Sequence, residues 1–399
     1  MPLVYLVYWY SMRITNVKTF LVEGIVYNWT LIKVETDAGV HGWGEATNWP
    51  GSPLVEAACR HAGELLVGQD PSQIDFIWTK LYRDMNWLGQ AGPLLSAISA
   101  VDIALWDIKG KVLDAPIYEL LGGAYRTKLL LYANYWFTEG GHNAEDYARQ
   151  AKETAAKGFT ALKFDPFAHQ SYIYGDHLAA NGSLSEAQKK RAVEIVAAVA
   201  ETVGRGVEIA IETHAFMNSA TAVEMAKRLA EIDFTCMWYE EPALPEFTAS
   251  ISDIRRRIPF PVCVGERLHS RFMLLPVLQQ QAADVVMPDI TRCGGISEMR
   301  KMANLAESFN VPFAPHNPNG PVSTIASAHT MATIPNFFRQ EFMLKDVPWR
   351  DEVLSHPLPV ADGFFTLPER PGLGFDIDER ELEKHPGLRQ VPSDRPFYV

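Results

Sequence analysis

Six successive apolar runs in this chain finish on or beside an ionisable side chain, and that register constrains the fold more than any other feature. Glu212 closes VEIAIE, Glu240 closes CMWYE, Glu266 closes VCVGE, Asp289 closes VVMPD and His316 closes VPFAPH, while Glu341 lies near the end of FFRQEF. These runs belong to a longer rhythm that begins near Leu129. Strand-like segments at 129–136, 161–165, 207–212, 236–240, 262–266, 284–289, 311–316 and 336–342 alternate with helical stretches such as 145–157, 186–203, 220–232 and 295–309. Repeated β-then-α units build a parallel sheet, and eight of them suggest closure into a barrel. An open doubly wound sheet is the alternative. The repeat count and the length of 399 residues favour the barrel. Barrel sites gather at the C-terminal ends of strands, so the six ionisable side chains can converge.

The chain ahead of the rhythm has a different character. RITNVKTFLV and WTLIKVETDAG alternate apolar and polar residues, and Asp37-Ala38-Gly39 supplies a turn into VHGWGEA. Segments 54–67 and 94–113 then read as helices. The second carries a stripe at Ile98, Val101, Leu105, Ile108 and Val112. Residues 13–128 therefore form an α+β unit, 129–344 the barrel, and 345–399 a proline- and charge-rich tail that packs back onto the first unit.

Composition excludes several classes of partner. The formal charge of -12 makes nucleic acid and anionic membranes poor partners, and suits a pocket that concentrates a cation. The four cysteines, Cys59, Cys236, Cys263 and Cys293, have no zinc-like spacing, which reads as a reduced, cytoplasmic protein. Residues 1–10 are apolar but lack a basic lead-in and a small-residue cleavage site, so they do not read as a signal peptide; Met12 is a second candidate start. No stretch approaches transmembrane length.

Three carboxylates from consecutive strands repel one another unless a cation sits between them. Oxygen ligands point to magnesium, with manganese second, and zinc would prefer thiolate or imidazole. The alternative is that the acids pair with arginines such as Arg267. Asp289 and His316 end adjacent strands, where a carboxylate fixes an imidazole tautomer and raises its basicity. His214 follows Glu212 by two residues, so a continuing strand would aim it into the same pocket. A further metal ligand and a loop histidine capping the next helix are its other readings.

At these residues the sequence resembles the mandelate racemase subgroup of the enolase superfamily. The resemblance covers nearly the whole chain, through SAISAVDIALWDIKGKVLDAPIYELLGG in the first unit and WYEEP, VGER, VVMPDITRCGG and PHN in the barrel. It implies a modified TIM-type (β/α)8 barrel with an α+β capping domain formed by the N-terminal block and the C-terminal tail. It implies metal ligands Glu212, Glu240 and Glu266, with Glu241 behind them, and a histidine base working with magnesium. It implies the dyad Asp289–His316, and Glu341 as donor of a hydrogen bond to a substrate carboxylate. Glu212 departs from the family's usual aspartate. The family also implies a homo-oligomer, a dimer or larger even assembly.

Two details sort the reaction. The second strand reads LKFDP, so Lys163 is present but Asp165 stands where many members carry a catalytic lysine. No lysine occurs between Lys227 and Lys301, which closes a second lysine option. A histidine two positions past the third-strand ligand resembles dehydratases of gluconate and galactonate. The expected activity is magnesium-dependent dehydration of such a small-molecule carboxylate to a 2-keto-3-deoxy acid. His316 removes the α-proton through an enediolate and His214 protonates the leaving hydroxyl. A racemase or epimerase on the same site is the alternative, and a silent binding barrel is another. Lys163, Trp49 and Trp87 are candidate substrate contacts, the tryptophans equally well ordinary packing. His169, Tyr172, Tyr174 and His177 in 166–183 form a candidate lid or subunit contact.

Overall fold

The computed structural model describes residues 12–24, 28–48, 52–85, 87, 91–139, 143–167 and 181–388. Strands Lys128–Asn134, Ala161–Phe164, Glu208–Glu212, Thr235–Glu240, Val262–Val264 and Val285–Val286 pair in parallel, each with the next. Gln340–Met343 then pairs in parallel with the first strand through Gln340↔Leu131 and Glu341↔Tyr132. Between them, Phe313 bridges both Val286 and Phe337, so the sheet closes into an eight-membered parallel barrel. The run at 311–316 departs from the full strand expected. It joins its neighbours only by isolated bridges, at Phe313 and at Asp289↔His316. Pro312 and Pro315 have no N–H to donate to a ladder.

The period of two explains why chemistry collects at one end. Tyr132, Ala161, Ala210, Trp238, Cys263, Val285, Met287 and Ala314 form one apolar plug inside the barrel. Their outward neighbours, such as Leu131, Leu162, Ile209, Ile211, Tyr239 and Val264, pack in the larger core under the helices. Alternate residues share a face. One step of two beyond the plug therefore leads from Ala161 to Lys163, Ala210 to Glu212, Trp238 to Glu240, Met287 to Asp289 and Ala314 to His316. Glu266 breaks this count, lying three residues past Cys263. Gly265 makes the change of face possible, with φ at +153° and so little room that a Cβ would meet the Met287 backbone at 2.6 Å.

Three barrel helices begin on their own side-chain caps. Asn143 accepts from the Asp146 N–H, Asn218 accepts from the Thr221 N–H, and Ser185 forms a reciprocal box with Gln188. Helices Gly295–Ser308 and Pro321–Ala332, which follow the sixth and seventh strand positions, start after Gly294 and Gly320 without such a cap.

The first unit is a three-stranded antiparallel sheet, Ile14–Val22, Trp29–Thr36 and His41–Glu45, covered by helices Ser52–Leu66, Ile74–Asp84 and Pro93–Leu113. Gly42 and Gly44 let the third strand lie directly on the long helix, since a Cβ at either would run into the Ala104 or Ala100 carbonyl. The tail touches both units. Phe364–Thr366 pairs antiparallel with the start of the first barrel strand. Farther on, Glu379 takes Lys18 at 3.1 Å and Lys33 at 2.6 Å on the capping sheet, and Asp376 accepts from Trp43 Nε1. Among the described residues no helix is long and apolar enough to cross a membrane.

Candidate active site

One oxygen from each of Glu212, Glu240 and Glu266 lies within 4.8 Å of the others, and all three residues are buried. Lys163 stands among them. Its Nζ is 2.6 Å from Glu240 Oε1, 2.8 Å from Glu341 Oε1 and 3.5 Å from Glu212 Oε2, with its side chain 3% exposed. Burial works against its charge, but Glu240 and Glu341 outweigh that and hold it well above the usual lysine range. The lysine is therefore a buried cation paired with the acids. Trp238 Nε1 donates to the other Glu240 oxygen at 2.6 Å. Arg267 Nη1 lies 2.6 Å from Glu266 Oε1 and 3.0 Å from Glu241 Oε2, so arginine pairing does account for part of the cluster. Glu241, at φ +44°, leaves the strand and accepts the Gly265 N–H at 2.7 Å.

The residues fit a hard divalent cation. Among the described residues, five buried carboxylates, Glu212, Glu240, Glu241, Glu266 and Glu341, face two permanent cations, Lys163 and Arg267. Glu212 Oε2 is buried without a hydrogen-bond partner. A buried carboxylate oxygen with no hydrogen bond, whose nearest cation is Lys163 Nζ at 3.5 Å, suits an ion with oxygen ligands. The glutamate's extra length is used here. Its Oε1 folds back to accept the Thr213 and His214 N–H groups at 3.0 and 2.7 Å, leaving Oε2 toward the other acids.

Two Asp–His dyads stand at this mouth. His316 Nδ1 is 2.8 Å from Asp289 Oδ2, and its Nε2 is 2.9 Å from Glu266 Oε2. An ionised Asp289 accepts a hydrogen bond from Nδ1–H and leaves Nε2 facing the carboxylates. Burial opposes a charged His316, but the Glu266 charge outweighs it and raises the imidazole above its usual range. The second dyad joins His214 Nδ1 to Asp165 Oδ2 at 2.6 Å, and Asp165 Oδ1 accepts the Phe167 N–H. Burial again opposes the charge, while Glu212 and Asp165 lift His214 to about 9.

His214 reaches the pocket by a route other than strand continuation. The strand stops at Glu212, and His214 and Ala215 adopt φ of +48° and +59°. It does not cap the next helix, which starts on Asn218. Glu341 is held from two sides. Both its oxygens accept, from Asn134 Nδ2 at 2.7 Å and Lys163 on one side and from the Asn317 N–H at 2.6 Å on the other. Three donors thus converge on Glu341, which anchors Lys163.

Trp87 is 96% exposed and walls nothing among the described residues. Trp49, together with His169, Tyr172, Tyr174 and His177, lies outside them. Sequence reasoning missed Asp165 as the partner of His214. The signal was available, since Asp165 lies two residues past inward-facing Lys163. Thr291 and Asn319, which hold Asp289, carried no signal of their own.

Comparison with known proteins agrees with this geometry. The Enolase C-terminal domain-like family matches residues 146–381, and the mandelate racemase / muconate lactonizing enzyme N-terminal domain matches residues 25–122. A D-xylonate dehydratase of Haloferax volcanii is 35% identical over 378 residues, covering 94% of this chain and 89% of its own. A D-galactonate dehydratase of Ralstonia pickettii is 35% identical, covering 92% and 93%. A D-gluconate dehydratase of Thermoproteus tenax is 34% identical, covering 92% and 71%. Among solved structures, a mandelate racemase/muconate lactonizing enzyme-like protein from Rubrobacter xylanophilus matches with a TM-score of 0.86 and 32% identity over 97% of this chain and 99% of its own. With both of its domains matched and its barrel closed around the acid cluster, the chain belongs to the mandelate racemase / muconate lactonizing enzyme branch of the enolase superfamily.

Proposed function

We propose that this chain is a hydro-lyase that removes water from an aldonic acid, of the class of gluconate, galactonate or xylonate, to give a 2-keto-3-deoxy acid. The observation that carries this reading is the pair of Asp–His dyads. His214 follows the third strand and His316 ends the seventh position, and those places are opposite in an eight-membered barrel. Elimination needs a base for the α-proton and a separate acid for the hydroxyl on the next carbon, and the dyads supply both across the carboxylate cluster. The relatives named above act on sugar acids of this class by their printed names.

Glu212, Glu240 and Glu266 would hold magnesium, with manganese second, which when bound supplies Lewis-acid stabilisation to the substrate carboxylate. The chain's own residues do the rest. His316 Nε2 takes the α-proton while Asp289 holds Nδ1–H and balances the imidazolium. Lys163, fixed by Glu240 and Glu341, provides a permanent positive field where the enediolate charge develops. His214, protonated and held by Asp165, gives its proton to the departing hydroxyl as the C–O bond breaks. Water leaves, and the enol relaxes to the keto acid. Four free thiols suit the reducing cytoplasm, and the same reading carries an even-numbered homo-oligomer, which light scattering tests.

The test is incubation with magnesium and a panel of aldonic and aldaric acids, with 2-keto acid measured by semicarbazide. Product from an aldonate, lost in His316→Asn, supports the proposal. No product, but α-proton exchange in deuterated water, would assign an epimerase instead. Neither signal with any acid overturns both.

A further inference from the structure

Helix Pro321–Ala332 begins without a side-chain cap of its own, yet its first N–H groups are satisfied from the other domain. Glu45, the last residue of the capping sheet, is fully buried. Its Oε1 accepts the Gly320 N–H at 2.7 Å and its Oε2 accepts the Ser323 N–H at 2.8 Å, across 275 and 278 residues of chain. Thr47 Oγ1 donates to the same carboxylate at 2.6 Å. All three partners are donors, and an ionised carboxylate at a helix N-terminus satisfies them together.

The residues it holds lead to the site. Asn319 Nδ2 donates to Asp289 at 2.9 and 3.1 Å and lies 3.3 Å from Ser323 Oγ. Ser323 Oγ donates to Asn317 Oδ1 at 2.7 Å, and the Asn317 N–H holds Glu341 at 2.6 Å. A second route runs through Thr291, whose Oγ1 is 2.7 Å from both the Thr47 carbonyl and Asp289 Oδ1. Its single proton serves one of them at a time, and the Thr291 N–H holds Asp289 at 2.8 Å in either case.

We infer that Glu45 is a positioning residue: from the capping domain it sets the start of helix Pro321–Ala332 and so fixes Asp289, His316 and Glu341 in working geometry. The capping domain then has a part in the chemistry that covering the barrel mouth does not require. Helix Gly295–Ser308 provides the contrast. Asp102, also buried and also from the capping domain, accepts the Ser297 N–H at 2.9 Å, but its other oxygen has no partner and no side-chain chain links it to the dyad. Asp102 is an interdomain cap alone.

The inference rests on His316 as the base, so the test has one readout that needs no turnover. Glu45→Gln, Glu45→Asp and Asp102→Asn are compared with wild type in the magnesium-loaded full chain. The readouts are kcat, KM, thermal midpoint and the downfield ring-proton resonance of His316, assigned by its loss in Asp289→Asn. Glu45→Gln is expected to lower kcat at least tenfold, keep KM within twofold and shift the resonance. Glu45→Asp should recover part of kcat, and Asp102→Asn should lower the midpoint with kcat within twofold. A Glu45→Gln enzyme that loses thermal stability but keeps kcat and the resonance overturns the inference, leaving Glu45 as interdomain glue. Should wild type turn over no sugar acid, a shifted resonance still sustains the inference, and only the dehydratase reading falls. Should Glu45→Gln fail to fold, Ser323→Ala leaves the cap and removes the relay hydroxyl. A several-fold kcat loss with the same shift supports the inference, and an unchanged enzyme overturns it.

Discussion

The two dyads face each other across one barrel mouth but are held in different ways. Asp289 is fully buried and meets Thr291, Asn319 and, at 3.5 Å, Arg292, and its histidine side chain is 5% exposed. Asp165 is held by His214 and by one local backbone N–H, and His214 is 27% exposed on a left-handed turn. On the proposed mechanism the tightly held pair serves the harder step. Taking a proton from carbon next to a carboxylate tolerates little error in distance, since a misplacement of about 1 Å can cost ~10²-fold. Protonating a leaving hydroxyl needs the acid within reach of a mobile group, and a turn at the strand end supplies that reach.

This division of labour can be broken one side at a time. His316→Asn should have the largest effect, lowering both dehydration and α-proton exchange by ~10⁴. Turnover and deuterium incorporation, followed together by NMR, check it. His214→Asn should cost ~10³ in dehydration yet leave α-proton exchange in place. If exchange disappears as well, the two histidines do not divide the reaction and the comparison fails. Asp165→Asn should be milder, about 10²-fold in kcat, because His214 remains but loses its orientation. Thr291→Val removes one of several holds on Asp289. A single hydrogen bond is worth about 1 kcal/mol, so kcat should fall about fivefold with KM unchanged. A loss as large as that of Asp165→Asn would mean that the Asp289 side is less redundant than its contacts imply.

Much of this was legible before the structure. The strand ends, Glu212, Glu240 and the Asp289–His316 pair follow from repeats of two and from β/α alternation, which are properties of short segments, while Glu266 needs the change of face at Gly265. His214 was legible as a candidate, but its path was not, because nothing in EIAIETHA announces that the strand stops at Glu212 and that two non-glycine residues turn left-handed. Lys163 was legible as a candidate substrate contact, but its ion pairs were not, because Glu240 and Glu341 are 77 and 178 residues away and meet it only when the barrel closes. The contacts of Glu341 were hidden for the same reason, since its three hydrogen-bonding partners come from three different parts of the chain.

By itself, then, the amino-acid order determined most of the side chains that reach the barrel mouth, because the pleat assigns alternate residues to one face wherever a strand forms, Glu266 and His214 being the exceptions. Closure of the sheet and docking of the capping domain decided what each of them does there. Lys163 became a buried counter-ion, Asp165 the partner of His214, and Glu45 the cap of a helix 275 residues away. Periodicity is written within a few residues, whereas hydrogen bonds and ion pairs between distant segments exist only once the chain has brought those segments together.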